Sequence, residues 1–126
     1  MLKKLILLVT SIFLVAGNLL AAQNSFLEFY RGFREIVKDQ GAELLFCSRL
    51  ENSLYKAECS LNILKLRSEV TNEKTNALAE QCFFFIDKRQ YTEALRKADE
   101  LERNGASLLA KMCRDLVKNL SQQNKK

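Results

Sequence analysis

Histidine, proline and tryptophan are all missing from this 126-residue chain, and glycine occurs only four times. Without histidine there is no Ser-His-Asp or Cys-His catalytic arrangement and no histidine-bound zinc. The commonest acid–base group near neutral pH is gone with it. Without proline, and with so few glycines, little in the chain interrupts a helix. What is present is 48% hydrophobic and 28% charged residues. That balance belongs to a folded chain, and the length suits one domain.

Residues 1–22 read as a secretory signal: Lys3 and Lys4, an apolar run from Leu5 to Leu20, then the small pair Ala21-Ala22. Charge, apolar stretch and small residues in that order are what export and cleavage require. Cleavage is expected near Ala22, with Gly17 the second choice. The run is interrupted by Thr10, Ser11, Gly17 and Asn18 and falls short of the ~20 apolar residues that cross a bilayer. The competing reading is an uncleaved inner-membrane anchor, with membrane contact through residues 5–20. Lipoprotein processing is excluded, because the first cysteine is Cys47.

Loss of Lys3 and Lys4 with the signal lowers the formal charge from +5 to +3, and Lys125 and Lys126 lie in a polar tail at 121–126. The body at 23–120 is therefore nearly neutral. Nucleic-acid binding needs basic residues gathered on one face, and none gather here. The basic balance belongs to the two ends.

An exported chain with Cys47, Cys59, Cys82 and Cys113 is expected to carry disulfides, since an even cysteine count in a small oxidised domain is normally a disulfide framework. No two cysteines have C-x-x-C spacing, so neither a redox pair nor a zinc site is expected, and no cofactor is implied. Three pairings are open on spacing alone, beside a reading as buried free thiols.

Helical spacing fills the rest. Ser25 with Glu28 opens a segment to Lys38 as a capping box, and Phe26, Phe29, Tyr30, Phe33, Ile36 and Val37 form its stripe. Gly41 is expected to end it. A second segment runs Ala42 to Glu51. Asn52-Ser53 caps a third, Leu54 to about Val70, with Leu54, Ala57, Leu61 and Leu64 on one line and Tyr55, Cys59, Ile63 and Leu66 beside it. Thr71-Asn72 opens a fourth carrying Leu78, Cys82, Phe85 and Ile86. The run Cys82 to Ile86 is apolar all round, and its helix-forming neighbours assign it to helix. Asp87 to Gln90 is a polar connector. Tyr91 to Arg103 and Ser107 to Leu120 follow, separated by Asn104-Gly105 as a C-terminal stop. The fold class is all-α: about six helices with short connectors, stacked as antiparallel hairpins.

Acidic neighbours at Glu69/Glu73, Asp87 with Glu93, and Asp99/Glu100/Glu102 read as solvated surface rather than a catalytic pair. Glu93, Arg96, Lys97 and Glu100 have the i, i+3, i+4, i+7 spacing of a charged helix face. The aromatic stripe Phe26, Phe29, Tyr30 and Phe33 reads as core or as contact with a protein partner. A membrane-surface helix is its second reading.

Ala79-x-x-Cys82 recurs as Ala110-x-x-Cys113, and Leu78 to Leu101 resembles one tetratricopeptide (TPR) or Sel1-like unit. Leu78, Cys82 and Phe85 take the large, small and aromatic positions of its first helix. Tyr91, Ala94 and Leu95 take the opening positions of its second. Gln81, Ala98 and the missing proline depart from the pattern. The resemblance implies a protein-binding scaffold without catalysis. It also implies that first helices of neighbouring units pack together, which pairs Cys82 with Cys113. Cys47 and Cys59 face each other across the hairpin at Asn52-Ser53. The expected function is that of an exported, non-enzymatic interaction module: an adaptor, chaperone or accessory of a bacterial envelope or secretion assembly, periplasmic or secreted. The alternative is a membrane-associated structural component.

Overall fold

Local capping decides where most of the helices begin. The computed structural model describes residues 25–123; the expected signal and the last three residues of the tail lie outside them. Among the described residues there are six helices and no strand. They are α1 (Phe26–Lys38), α2 (Ala42–Cys47), α3 (Ser53–Thr71), α4 (Glu73–Asp87), α5 (Tyr91–Arg103) and α6 (Ser107–Gln123). The Ser25 hydroxyl accepts the Glu28 N–H, Asn52 accepts from Leu54 and Tyr55, and Asn72 accepts from Lys74 and Thr75. Each cap satisfies backbone donors that the first helical turn leaves open.

Two helices end alike with different residues. After α5, the Ala106 N–H reaches the Leu101 carbonyl and the Gly105 N–H that of Glu102, with Gly105 at φ 85°. After α4, Gln90 reaches Phe85 and Arg89 reaches Ile86, with Arg89 at φ 58°. Both are Schellman closures, which need one left-handed residue, and only glycine takes that conformation at no steric cost.

Two boundaries and the role of one glycine differ from the sequence reading. The first helix ends at Lys38 as expected, but Gly41 is the N-cap of α2 rather than the stop of α1. α2 is only six residues long, because the chain turns after Ser48 to bring α3 back beside it. Ser121 to Gln123, expected in the tail, continue α6.

α3 and α4 form one bent rod with only Asn72 between them. α1 lies antiparallel along it. Phe26 meets Asp87, Arg31 meets Glu80, Arg34 meets Val70, and the carbonyl of Val37 meets Arg67. α4, α5 and α6 pack in succession on the other side, closed by short connectors. A single cluster of buried side chains joins all six helices. At its centre, Ala94 and Ala98 of α5 are wholly buried. Their small side chains let α5 lie close against its neighbours, since helix axes approach only as near as their contact residues allow.

Candidate interaction surface

Three of the four aromatic residues considered for partner contact lie inside the protein. Phe29, Tyr30 and Phe33 are buried, and only Phe26 keeps partial exposure. Tyr30 stacks on Phe83 with ring centroids 5.1 Å apart, and its hydroxyl donates to Asn76 Oδ1 at 2.8 Å. Burial holds that phenol well above the usual tyrosine range. The stripe is packing in the folded chain, and what it can offer outside is little more than the edge of Phe26.

The cysteines meet as two pairs. Cys47 of α2 and Cys59 of α3 have Cα atoms 5.7 Å apart, and Cys82 of α4 and Cys113 of α6 have theirs 6.5 Å apart, both at disulfide distance. The second pair straddles α5. Its sulfurs lie 3.4 and 3.6 Å from the Ala94 carbonyl oxygen, so α4 and α6 both close on the backbone of α5 there. The two pairs point to an oxidising compartment. Among the described residues no helix is long and apolar enough to cross a membrane.

The acidic groups divide into three environments. Asp99 and Glu102 both accept from Arg114, at 2.6 and 3.0 Å, which raises the guanidinium pKa further. Glu93 pairs with Arg96, and Glu100 with Lys97, as the charged-face spacing anticipates. Glu69 departs from the surface reading. It is 5% exposed, and its Oε1 accepts the Leu109 N–H at the start of α6 at 2.9 Å. Asp87 also has a structural task, described below. None of these carboxylates is paired with another in a cleft, and no cluster of metal-binding side chains occurs among the described residues.

The feature that the fold leaves unused is on α3. Its two apolar lines lie on opposite sides of the helix rather than side by side. Cys59, Ile63, Leu66 and Val70 face the core and are buried. Leu54, Leu61 and Leu64 are 59%, 64% and 51% exposed, with Ala57 exposed among them. Steps of three, four and three residues keep one line along a helix. A helix that is apolar on two faces is normally covered on both. The polar contacts that α3 makes with α1 and α6 come from its second half: Lys65 to Ser107, Arg67 to the carbonyls of Val37 and Asp39, and Glu69 to Leu109. Its first half is joined to α2 through Cys47–Cys59. α2 adds Leu44 and Leu45, 74% and 45% exposed.

Comparison with known protein families, with curated proteins and with solved structures returns no match. The surface therefore has to be read from its own chemistry.

A depression of about 510 Å³ lies between α1, α4 and α5. Leu27 and Phe84 form its apolar floor, and the Arg31–Glu80 ion pair at 2.7 Å crosses its rim. Isolated apolar side chains of this kind are ordinary on protein surfaces. The leucine line differs because it is continuous along a helix. Its spacing was visible in the sequence. That it faces outward was not, since a second apolar line on the same helix fits the core equally well.

Proposed function

We propose that this is an exported, non-enzymatic helical module that binds protein partners through the outer face of α3. The observation that carries the reading is the exposed line Leu54, Ala57, Leu61 and Leu64, on a helix whose opposite face supplies the core. Apolar surface of this continuity on a small protein marks a place of association. In this reading the two disulfides hold the module together outside the reducing cytosol, in a periplasmic or secreted location, and the signal is removed near Ala22. The similarity of Leu78 to Leu101 to a TPR-like unit belongs to the same proposal. It is supported by the close packing of Ala94 and Ala98 between α4 and α6.

An adaptor, chaperone or assembly accessory fits these features, because each needs a rigid display surface and no reaction centre. The test is capture from the envelope of the producing cells, comparing the natural protein with Leu61→Glu. Proteins retained by the natural chain and lost with Leu61→Glu support the reading. Equal retention by both assigns binding to another surface. A turnover measured for the purified protein would reverse the non-enzyme assignment.

A further inference from the structure

We infer that the occupant of the outer face of α3 is a second copy of this chain, giving a weak parallel two-helix dimer; this rests on reading that face as the interaction surface. The positions Leu54, Ala57, Leu61 and Leu64 have the alternating three- and four-residue steps of a coiled-coil seam. A surface that presents this line is complementary to another of the same kind. Each copy places its leucines against those of the other in successive layers, and the contact closes after two subunits around a two-fold axis.

Charge selects the orientation. Glu58 and Lys65 flank one side of the line, and Ser53 and Ser60 flank the other. In a parallel pair each charged edge lies against the serine edge of the second copy, so no like charges meet. In an antiparallel pair centred on the line, Glu58 would lie beside Glu58 of the second copy, which disfavours that arrangement. Lys65 is already held by the Ser107 hydroxyl at 2.9 Å, clear of the seam.

The chain's own apolar segment is the competing occupant. In the proposed reading it leaves with the signal near Ala22, so the processed protein presents this face without it.

The size of the contact sets its strength. Three leucines about half to two-thirds open, with Ala57, give a patch near the lower end of the roughly 300–600 Å² typical of the largest on a monomer, well under the ~800 Å² per partner of a standard interface. Association is therefore expected to be reversible and concentration-dependent.

Sedimentation equilibrium of the natively processed protein, from about 1 μM to about 1 mM, covers the relevant affinities. The expected result is a monomer–dimer equilibrium within that range, weakened at least tenfold by Leu61→Glu. A chain that remains monomeric throughout, or a dimer indifferent to Leu61→Glu, overturns the proposal. Should Leu61→Glu not fold by circular dichroism, Ala57→Leu decides instead. Tighter association is expected as the seam gains a leucine, and unchanged association overturns the proposal. Glu58→Gln is expected to leave the affinity alone, and tightening would overturn the parallel arrangement. A monomeric chain that still captures an envelope protein through Leu61 would sink the dimer and leave the interaction module standing. A dimer that captures nothing would do the reverse.

Discussion

The carboxylate of Asp87, at the end of α4, accepts the backbone N–H of Phe26 at 2.6 Å, and its other oxygen accepts that of Leu27 at 3.1 Å. Ser25 takes the Glu28 N–H through its hydroxyl and the Phe29 N–H through its carbonyl. All four donors of the first turn of α1 are thus satisfied, two of them by a residue about sixty positions later. The negative charge also lies at the positive end of the α1 dipole. Asp87→Ala is expected to cost about 1–2 kcal/mol, the scale of a lost helix cap. The check is a lower denaturant midpoint at unchanged slope, with amide exchange faster at Phe26 and Leu27. Asp87→Asn should fall between, because an amide oxygen still accepts one bond.

Glu69 performs the corresponding task for α6, but from inside. Burial pushes its pKa above the ordinary 4.5, opposed by the N–H groups of Leu109 and Leu108 and by the charge of Lys65. Its Oε2 has no hydrogen-bond partner among the described residues. The folded chain therefore holds this proton more tightly than the unfolded chain does. The stability contributed is complete below about pH 4.5 and declines as pH rises through the folded value. Glu69→Gln keeps an acceptor for Leu109 and removes the charge. Denaturant unfolding of both proteins across pH 4–8 should show the variant gaining on the natural protein as pH rises. A constant difference would contradict the assignment.

Removal of the two disulfides should have unequal consequences. Closing the 12- and 31-residue separations is worth about 3 and about 4 kcal/mol on loop-closure entropy. The Cys82→Ser/Cys113→Ser double variant also loosens α4 and α6 around α5, so global stability should fall most there. Cys47→Ser/Cys59→Ser should act locally, releasing α2 and the first half of α3. Limited proteolysis between residues 42 and 60 reads that release, while exchange protection in α4 to α6 should survive it.

Arg89 occupies the left-handed position that Gly105 occupies after α5. A left-handed residue other than glycine costs about 1–2 kcal/mol, and glycine returns part of that gain through its looser unfolded chain. Arg89→Gly is expected to raise unfolding free energy by about 0.5–1 kcal/mol, seen as a higher thermal midpoint. Gly105→Ala is the inverse case. Space for a Cβ exists there, so any loss of stability reports backbone strain rather than collision.

Much of the helix map is local and was readable in advance. Ser25, Asn52 and Asn72 cap helices two or three residues away, and Gly105 closes α5 within one turn. Such signals need no knowledge of the rest of the chain. The end of α4 was legible as the polar connector Asp87 to Gln90, but its left-handed closure was not, because arginine carries no mark of that conformation. The short α2 escaped because Leu44, Leu45 and Leu50 continue an apolar pattern that tertiary packing interrupts.

The chain alone determined that it would be all-α, where most helices start and stop, and which residues could enter a core, because these follow from contacts within four residues. The tertiary structure decided which of them did enter. It turned Ile63 and Leu66 inward and Leu61 and Leu64 outward, although both lines are equally apolar, because only one face of α3 can meet α1, α4 and α6. It also drew Asp87 to Phe26 and Glu69 to Leu109 from sites that read as ordinary surface charge. A carboxylate carries no sequence mark of a donor sixty or forty residues away. That pairing exists only once the helices are placed.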